Sequence, residues 1–331
     1  MNNHRRNILI TGGCGFIGSN FIKKIINYNF NLIIVDNLST GFYDNIKKIL
    51  ISKKKNKRIK FIKVNLNNLN KVTKIFKENT IDYIFHFAAF SSVEMSLKNP
   101  KKILHNNLKS TENLVNLTKK FKVKYFIFSS SASVYGNLKF KKNINENYKT
   151  KPINPYGVSK LRCENLIKKD AVKLGYKFCI FRYFNVVGKH PSKKIIKKKN
   201  LNLFKKIDNC IKFNKILEIH GNKLDTSDGT PVRDFIHIDD VVTAHVECLK
   251  QNHPNFWNNI YNIGYNKGVS VLQIVKECKK IFNLKLRFKY VKKNKGIISR
   301  SISSNAKFIG KSNWKPGYSK LDKMVKSYFL R

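Results

Sequence analysis

Asn7-Ile8-Leu9-Ile10-Thr11-Gly12-Gly13-Cys14-Gly15-Phe16-Ile17-Gly18 is the stretch on which the fold turns. Its first four residues read as a short buried strand. The apolar positions Phe21, Ile22, Ile25 and Ile26 then recur at helical spacing. The glycines lie between the two, so the segment is strand, tight turn, helix. Gly12, Gly15 and Gly18 let the backbone turn sharply, approach a pyrophosphate closely and pack the helix on the sheet, while the helix start, with Phe16 and Ile17, offers its N–H groups to an anion. The spacing is G-x-x-G-x-x-G rather than G-x-G-x-x-G. A second apolar run, Leu32-Ile33-Ile34-Val35, ends at Asp36-Asn37. A dinucleotide-binding fold places there the carboxylate that accepts from the adenosine ribose hydroxyls. An acid at that point repels a 2′-phosphate, which favours NAD over NADP.

The remaining chain fits the same class. With 331 residues it can bury a large core in one big or two modest domains. Tyr83-Ile84-Phe85-His86-Phe87-Ala88-Ala89 and Tyr125-Phe126-Ile127-Phe128-Ser129-Ser130-Ser131 are strand-length apolar runs separated by helical periodicity, so an α/β fold with a parallel sheet is expected. None approaches the ~18 unbroken apolar residues of a membrane span. The polar start, Met1 to Arg6, leads directly into the first strand, so no signal peptide is expected. Six scattered cysteines, with no C-x-x-C and no histidine cluster at metal spacing, point to a reducing compartment, the cytoplasm, and to no structural metal.

Lys+Arg number 67 against 19 Asp+Glu, a net charge of +48 that would ordinarily raise nucleic acid as a partner. The excess is lysine spread over the whole chain, beside abundant Asn, Ile, Phe and Tyr. That pattern fits a genome rich in A and T codons better than a binding patch, and no specific nucleic-acid contact is expected. The two densest runs, Lys53 to Arg58 and Lys193 to Lys199, are expected in loops.

Tyr156 and Lys160 stand four apart in Asn154-Pro155-Tyr156-Gly157-Val158-Ser159-Lys160, on one face of a helix. A phenol with pKa ~10 is a poor base at neutral pH, and a fixed positive charge beneath it stabilises the phenolate. The pair is a candidate general base for a hydroxyl proton. Alone, Y-x-x-x-K is a common surface pair on a helix; behind a dinucleotide loop it gains meaning.

Together these motifs resemble those of the extended short-chain dehydrogenases/reductases, and in particular of the nucleotide-sugar 4-epimerases. The resemblance runs over nearly the whole chain: Thr11 to Gly18, Val35 to Gly41, His86 to Ala89, Ser129 to Gly136, Tyr156/Lys160, Arg182-Tyr183-Phe184-Asn185, Asp228-Gly229-Thr230-Pro231-Val232-Arg233-Asp234-Phe235-Ile236-His237 and Trp314-Lys315-Pro316. The glycine loop and Y-x-x-x-K mark only the superfamily; RYFN and DGTPVRDFIH are far more specific.

The resemblance implies NAD as cofactor and a Rossmann-type doubly wound sheet through residue 181, re-entered at about 235–249, with residues 182–331 forming a smaller α/β region that binds a UDP-sugar. It makes Ser131, 25 positions before Tyr156, the third catalytic residue. It puts Phe87, Ala88, Asn106, Lys160 and Tyr183 against the cofactor and Asn65-Leu66 at the adenine, where Asn65 replaces the usual Asp. It gives the substrate Ser131, Tyr156, Asn185, His220, Arg233 and Ser301, the last facing the sugar 2-substituent. The family's R-x-G-D segment is changed here to Asn294-Lys295-Gly296-Ile297, and Ser91 stands where some members have lysine. The implied reaction inverts the 4-position through a 4-keto sugar, as Tyr156 takes the 4-hydroxyl proton and the hydride passes to NAD+ and back. A 4,6-dehydratase would need an Asp-Glu pair where Ala132 and Ser133 stand. A non-catalytic dinucleotide or RNA-binding module would not require Ser131, Tyr156 and Lys160 together. Family members usually dimerise through the helix before Phe121 and the one carrying Tyr156.

Overall fold

The computed structural model describes residues 5–52, 58–137, 142–189, 202–251, 254–283, 286–292 and 298–330. Its sheet-forming runs are β1 (Asn7–Thr11), β2 (Asn31–Asp36), β3 (Ile59–Lys63), β4 (Tyr83–His86), β5 (Tyr125–Ser131) and β6 (Lys177–Tyr183). With Asn259–Ile263 they form one seven-stranded sheet, ordered β3-β2-β1-β4-β5-β6 and then 259–263, every neighbouring pair parallel. This is the doubly wound Rossmann arrangement.

Alternation along the strands splits the core in two. Ile8 and Ile10 of β1 face Phe21 and Ile22 of the helix Phe16–Ile25, whereas Leu9 and, on β2, Ile33 and Val35 belong with Leu114, Cys163 and Ile167 on the other side. The helices Pro100–Lys120 and Pro155–Leu174 pack together on that second side. Each begins with proline at its first turn, where the missing N–H costs nothing. Asn154 caps the second by accepting from the Gly157 N–H at 2.8 Å, and Gly175, at φ +72°, ends it in the left-handed conformation. Strand order reverses between β1 and β4, the switch point at whose carboxyl ends an open α/β sheet binds its ligands.

Beyond β6 the chain builds three small ladders: Asn185–Val187 with Phe235–His237, Leu217–His220 with Phe288–Val291, and Val232–Arg233 between Val269–Ser270 and Arg300–Ser301. It then returns to the first unit for longer than the expected 235–249. The helix Ile238–Lys250 packs on Phe16–Ile25, and Asn259–Ile263 completes the sheet beside β6, which itself runs past 181 to Tyr183. The Trp314 indole donates to the Asp240 carbonyl at 3.0 Å, and the Gly317 and Tyr318 N–H groups donate to the Asp240 carboxylate at 2.8 and 2.9 Å. These bonds fasten the C-terminal segment to that returning helix. Among the described residues no helix is long and apolar enough to cross a membrane. Lys53 to Lys57 and Lys193 to Lys199 lie outside the described residues, and Arg58 sits at the turn into β3.

Candidate active site

Gly12 has φ +69°, and a Cβ there would stand 2.6 Å from the Ala88 nitrogen and 2.9 Å from the Phe87 carbonyl carbon. Only glycine permits that approach of the β1 turn to the end of β4. A Cβ on Gly18 would fall 2.4 Å from the Gly12 oxygen, so the helix is seated directly on the loop. Gly15 stands at its N-cap, and Phe16 and Ile17 begin the helix, a position whose dipole suits a ligand anion. Asp36 accepts from Cys14 N at 2.9 Å and Leu38 N at 2.7 Å. Burial raises its pKa against the pull of those donors. Asn37 accepts from Ser39 N at 3.0 Å.

At the adenine end Asn65 is exposed and accepts from Asn67 N at 3.0 Å, while the buried Leu66 is held through its carbonyl by Asn113 at 2.8 Å. Asn67 donates to Asn106 at 3.2 Å. Two residues that the sequence pattern did not mark stand out here. The Asn67 Oδ1 and the Oδ1 of Asn45, whose amide donates to the Cys14 carbonyl at 2.7 Å, are buried without hydrogen-bond partners. A glycine cradle that a methyl group would fill, a helix start, an acid ending β2 and orphaned amide oxygens beside both fit a dinucleotide.

Ser131 ends β5, paired in register with Tyr183 on β6; Tyr156 and Lys160 come from the helix alongside. The Ser131 side chain acts on the Tyr156 phenol, favouring its ionised form, while its own hydroxyl donates to Ser133 Oγ at 3.2 Å. Lys160 departs from the expectation that its ammonium lies under the phenol. It donates to the Ser129 carbonyl at 2.6 Å and lies 4.7 Å over the Phe128 ring, but 6.0 Å from the Tyr156 ring centre. Burial pushes the Tyr156 phenol up to about 12, with the Ser131 side chain opposing, and pushes Lys160 down to about 8, with Cys163 and Glu164 opposing. The protein alone therefore holds an uncharged phenol, because desolvation outweighs the help of the Ser131 side chain.

Further back, Glu164 takes both Nε and Nη2 of Arg182, at 3.0 and 2.6 Å, and the Ser130 hydroxyl at 2.5 Å. Neither Glu164 nor Arg182 was singled out as a site residue, although Glu164 follows Lys160 by one helical turn and Arg182 opens RYFN.

On the substrate side the structure brings three expected residues together. Asn185 donates from N and Nδ2 to the Asp234 carbonyl at 3.0 and 3.1 Å, and Ser301 pairs with Arg233 across the small ladder. The Asp234 carboxylate accepts from Tyr265 N, Asn266 N, Ser303 N and the Ser303 hydroxyl, tying three segments into one floor. Arg233 makes no ion pair among the described residues; it donates to the Val232 carbonyl at 2.9 Å, and burial lowers its pKa to about 10. A half-buried guanidinium without a counter-charge suits an anionic ligand. His220 stands apart, on the ladder with Phe288–Val291. Asn294 to Ile297 lie outside the described residues; Arg300 is engaged by Asn143 at 3.0 Å, and Ser91 is exposed.

Comparison with known proteins now bears directly on this arrangement. Residues 8–264 match the NAD dependent epimerase/dehydratase family. The chain belongs to that family. A UDP-glucose 4-epimerase of Dictyostelium discoideum is 35% identical over 321 residues, 95% of this chain and 92% of the relative. The UDP-Glc/GlcNAc 4-epimerase of Campylobacter jejuni superposes with a TM-score of 0.84 at 32% identity, covering 98% of both chains. A UDP-glucose-4-epimerase from Stenotrophomonas maltophila, solved with NAD and formylated UDP-arabinopyranose, gives 0.90 at 27% identity, covering 98% of this chain and 97% of the other. Ala132 and Ser133, neither of them an acid, form the short turn after Ser131.

A cleft of about 650 Å³ lies elsewhere, lined by Lys119, Lys122, Lys124, Lys173 and Lys177 at the opposite ends of β5 and β6. Two helices terminate beside it, and lysines favour such C-terminal ends. It has no part in the site.

Proposed function

We propose that the chain is an NAD-dependent UDP-sugar 4-epimerase in which Ser131, Tyr156 and Lys160 are catalytic. The observation that carries this is the convergence of Ser131 at the carboxyl end of β5, the buried Tyr156 phenol that its side chain influences, and Lys160 seated on the Ser129 carbonyl, on the strand next to the one whose end meets the glycine cradle.

NAD+ would be held by Gly12, Gly15, Phe16, Ile17, Gly18, Asp36, Asn37, Asn65, Leu66, Phe87, Ala88, Asn106, Tyr183 and the catalytic pair, with Asn45 and Asn67 as added candidates. When bound it supplies the hydride acceptor and donor at the sugar 4-carbon, and its positive ring adds the charge that Lys160 alone does not give the phenol. Tyr156 then takes the 4-hydroxyl proton and later returns it to the same 4-oxygen, once the 4-keto sugar has presented its other face. Ser131 orients both oxygens. Lys160, fixed through Ser129, holds its ammonium in the low-dielectric pocket, where it favours the developing phenolate. Arg233 and Asn185 grip the diphosphate while the sugar turns, with His220 lining the nucleotide side.

Ser301 sets the wall beside the sugar 2-substituent. A serine leaves room for an N-acetyl group, so both the plain and the N-acetylated UDP-hexoses are substrates in this reading. The Campylobacter jejuni relative carries both sugars in its name. Residues 1–181 with the returning segment form the NAD unit, and the remainder forms the sugar unit. The protein is a homodimer through the helices Pro100–Lys120 and Pro155–Leu174. It works in the cytoplasm, in keeping with six free cysteines, five of them buried.

Incubation with UDP-glucose, UDP-galactose and their N-acetylated counterparts, with products identified by NMR, tests activity and sugar range together. Denaturation should release NAD+ or NADH. Ser301→Tyr should lose the acetylated activity selectively. A wild type inert toward N-acetyl sugars ends the specificity claim, and one that neither binds NAD nor turns over any of the four ends the whole reading.

A further inference from the structure

His245 sits in the returning helix Ile238–Lys250, and neither the motifs nor the mechanism gives it a role. Its fully buried ring lies among Phe181, Phe87, Phe21 and Phe85, with ring centres 4.8, 5.0, 5.9 and 6.2 Å away. Such an aromatic cage would accept another phenylalanine without the cost of desolvating two nitrogens. Both nitrogens, however, are in use. Nδ1 lies 2.8 Å from the Val241 carbonyl, which only accepts, so Nδ1 carries the proton. Nε2 is then an acceptor, and the Tyr183 hydroxyl, 2.6 Å away, donates to it. The Tyr183 oxygen in turn accepts from the Ser129 hydroxyl at 2.8 Å. The carbonyl of that same Ser129 receives the Lys160 ammonium at 2.6 Å.

The chain of bonds thus runs from the returning helix to the residue that seats Lys160. Two buried tyrosines meet at this point, and they are held differently. Tyr183 donates to His245 and accepts from Ser129, whereas the Tyr156 phenol stands by Ser131, the last residue of β5. Burial also keeps the imidazole neutral, with its pKa lowered to about 4, so it stays an acceptor at neutral pH.

We propose that His245 is a positioning residue: by accepting the Tyr183 hydroxyl it fixes that phenol as an inert wall of the cofactor pocket and steadies Ser129, the residue of β5 that seats Lys160, leaving Tyr156 as the phenol that exchanges a proton. The proposal rests on the epimerase reading for the identity of the reaction, but the bond network stands without it. His245 acts through Tyr183, so the two residues form one device rather than two independent supports.

The test is a double-mutant cycle of His245→Phe, Tyr183→Phe and the double variant. It reads kcat and KM separately, NAD content per protomer after gel filtration, and the half-time for exchange of bound cofactor. His245→Phe fills the cage and removes only the acceptor. Each single variant should lose on the order of 10- to 100-fold in kcat with little change in KM. Each should also exchange its cofactor faster, and the double variant should match the singles rather than multiply them. His245→Gln, which restores an acceptor, should recover part of the loss. Wild-type kcat and exchange in His245→Phe, or losses that multiply in the double variant, overturn the proposal. Should His245→Phe not fold, Tyr183→Phe against His245→Gln decides: unchanged cofactor exchange in Tyr183→Phe refutes it. An inactive wild type that still holds NAD would sink the epimerase reading alone, because cofactor exchange still reports on His245.

Discussion

Glu164→Gln should unfold this protein several degrees earlier than wild type, and the size of the drop follows from the burial of its partners. The Glu164 carboxylate and the Arg182 guanidinium are 0% and 4% exposed, joined by two bonds of 3.0 and 2.6 Å, with the Ser130 hydroxyl on the same carboxylate. Replacing the carboxylate by a neutral amide leaves a buried guanidinium without its counter-charge, a loss of about 3–5 kcal/mol. Unfolding entropy scales with chain length, so for 331 residues each kcal/mol moves Tm by roughly 1.5 °C, and the drop should be about 4–7 °C. The cost comes from an uncompensated charge rather than from lost net attraction. The triple variant Ser130→Ala, Glu164→Leu, Arg182→Met should therefore recover most of it, because the three polar partners leave together. Circular dichroism melts of wild type, single and triple variants, with and without added NAD, measure this. A Glu164→Gln protein that melts with wild type, or a triple variant that melts below it, would refute the reasoning.

Tyr156→Phe should cut turnover by about 10²–10⁴ while NAD stays bound, since it deletes the proton acceptor and almost no volume; comparing turnover with released NAD checks this, and a near-wild-type rate removes Tyr156 from the mechanism. Gly12→Ala should cost about 2–4 kcal/mol, from a left-handed φ and contact with the Ala88 and Phe87 backbone, and should purify with little NAD; full cofactor occupancy would contradict the cradle. Asp234, fully buried, has its pKa raised to about 6 by desolvation, so the folded state binds its proton more tightly than the unfolded chain. Its contribution to stability therefore falls as pH rises from about 4 through 6, by roughly 3 kcal/mol in all. Asp234→Asn should flatten that part of the stability-against-pH curve, and an unchanged slope would assign it to other groups.

The first half of the fold could be read from local pattern alone. The run from Asn7 to Gly18 combines a period of two, a glycine turn and a helical period within a dozen residues, and each signal depends only on neighbours in the chain. The same holds for the position of Asp36, for Tyr156 and Lys160 on one helix face, and for the glycine required at position 12. What sequence could not decide was which acceptor a long side chain would reach. Lys160 was expected beneath Tyr156, but the carbonyl of Ser129 on the neighbouring strand claims its ammonium, and burial sends the phenol's pKa up rather than down. The extra length of the returning segment, the Glu164–Arg182 pair, the floor built on Asp234 and the His245–Tyr183 bond share one property. Each joins residues 18 or more positions apart. Spacing along the chain fixes directions within one helix or strand; only the packing of the sheet against its helices determines which buried donors and acceptors face each other, and which titrating groups lose their water.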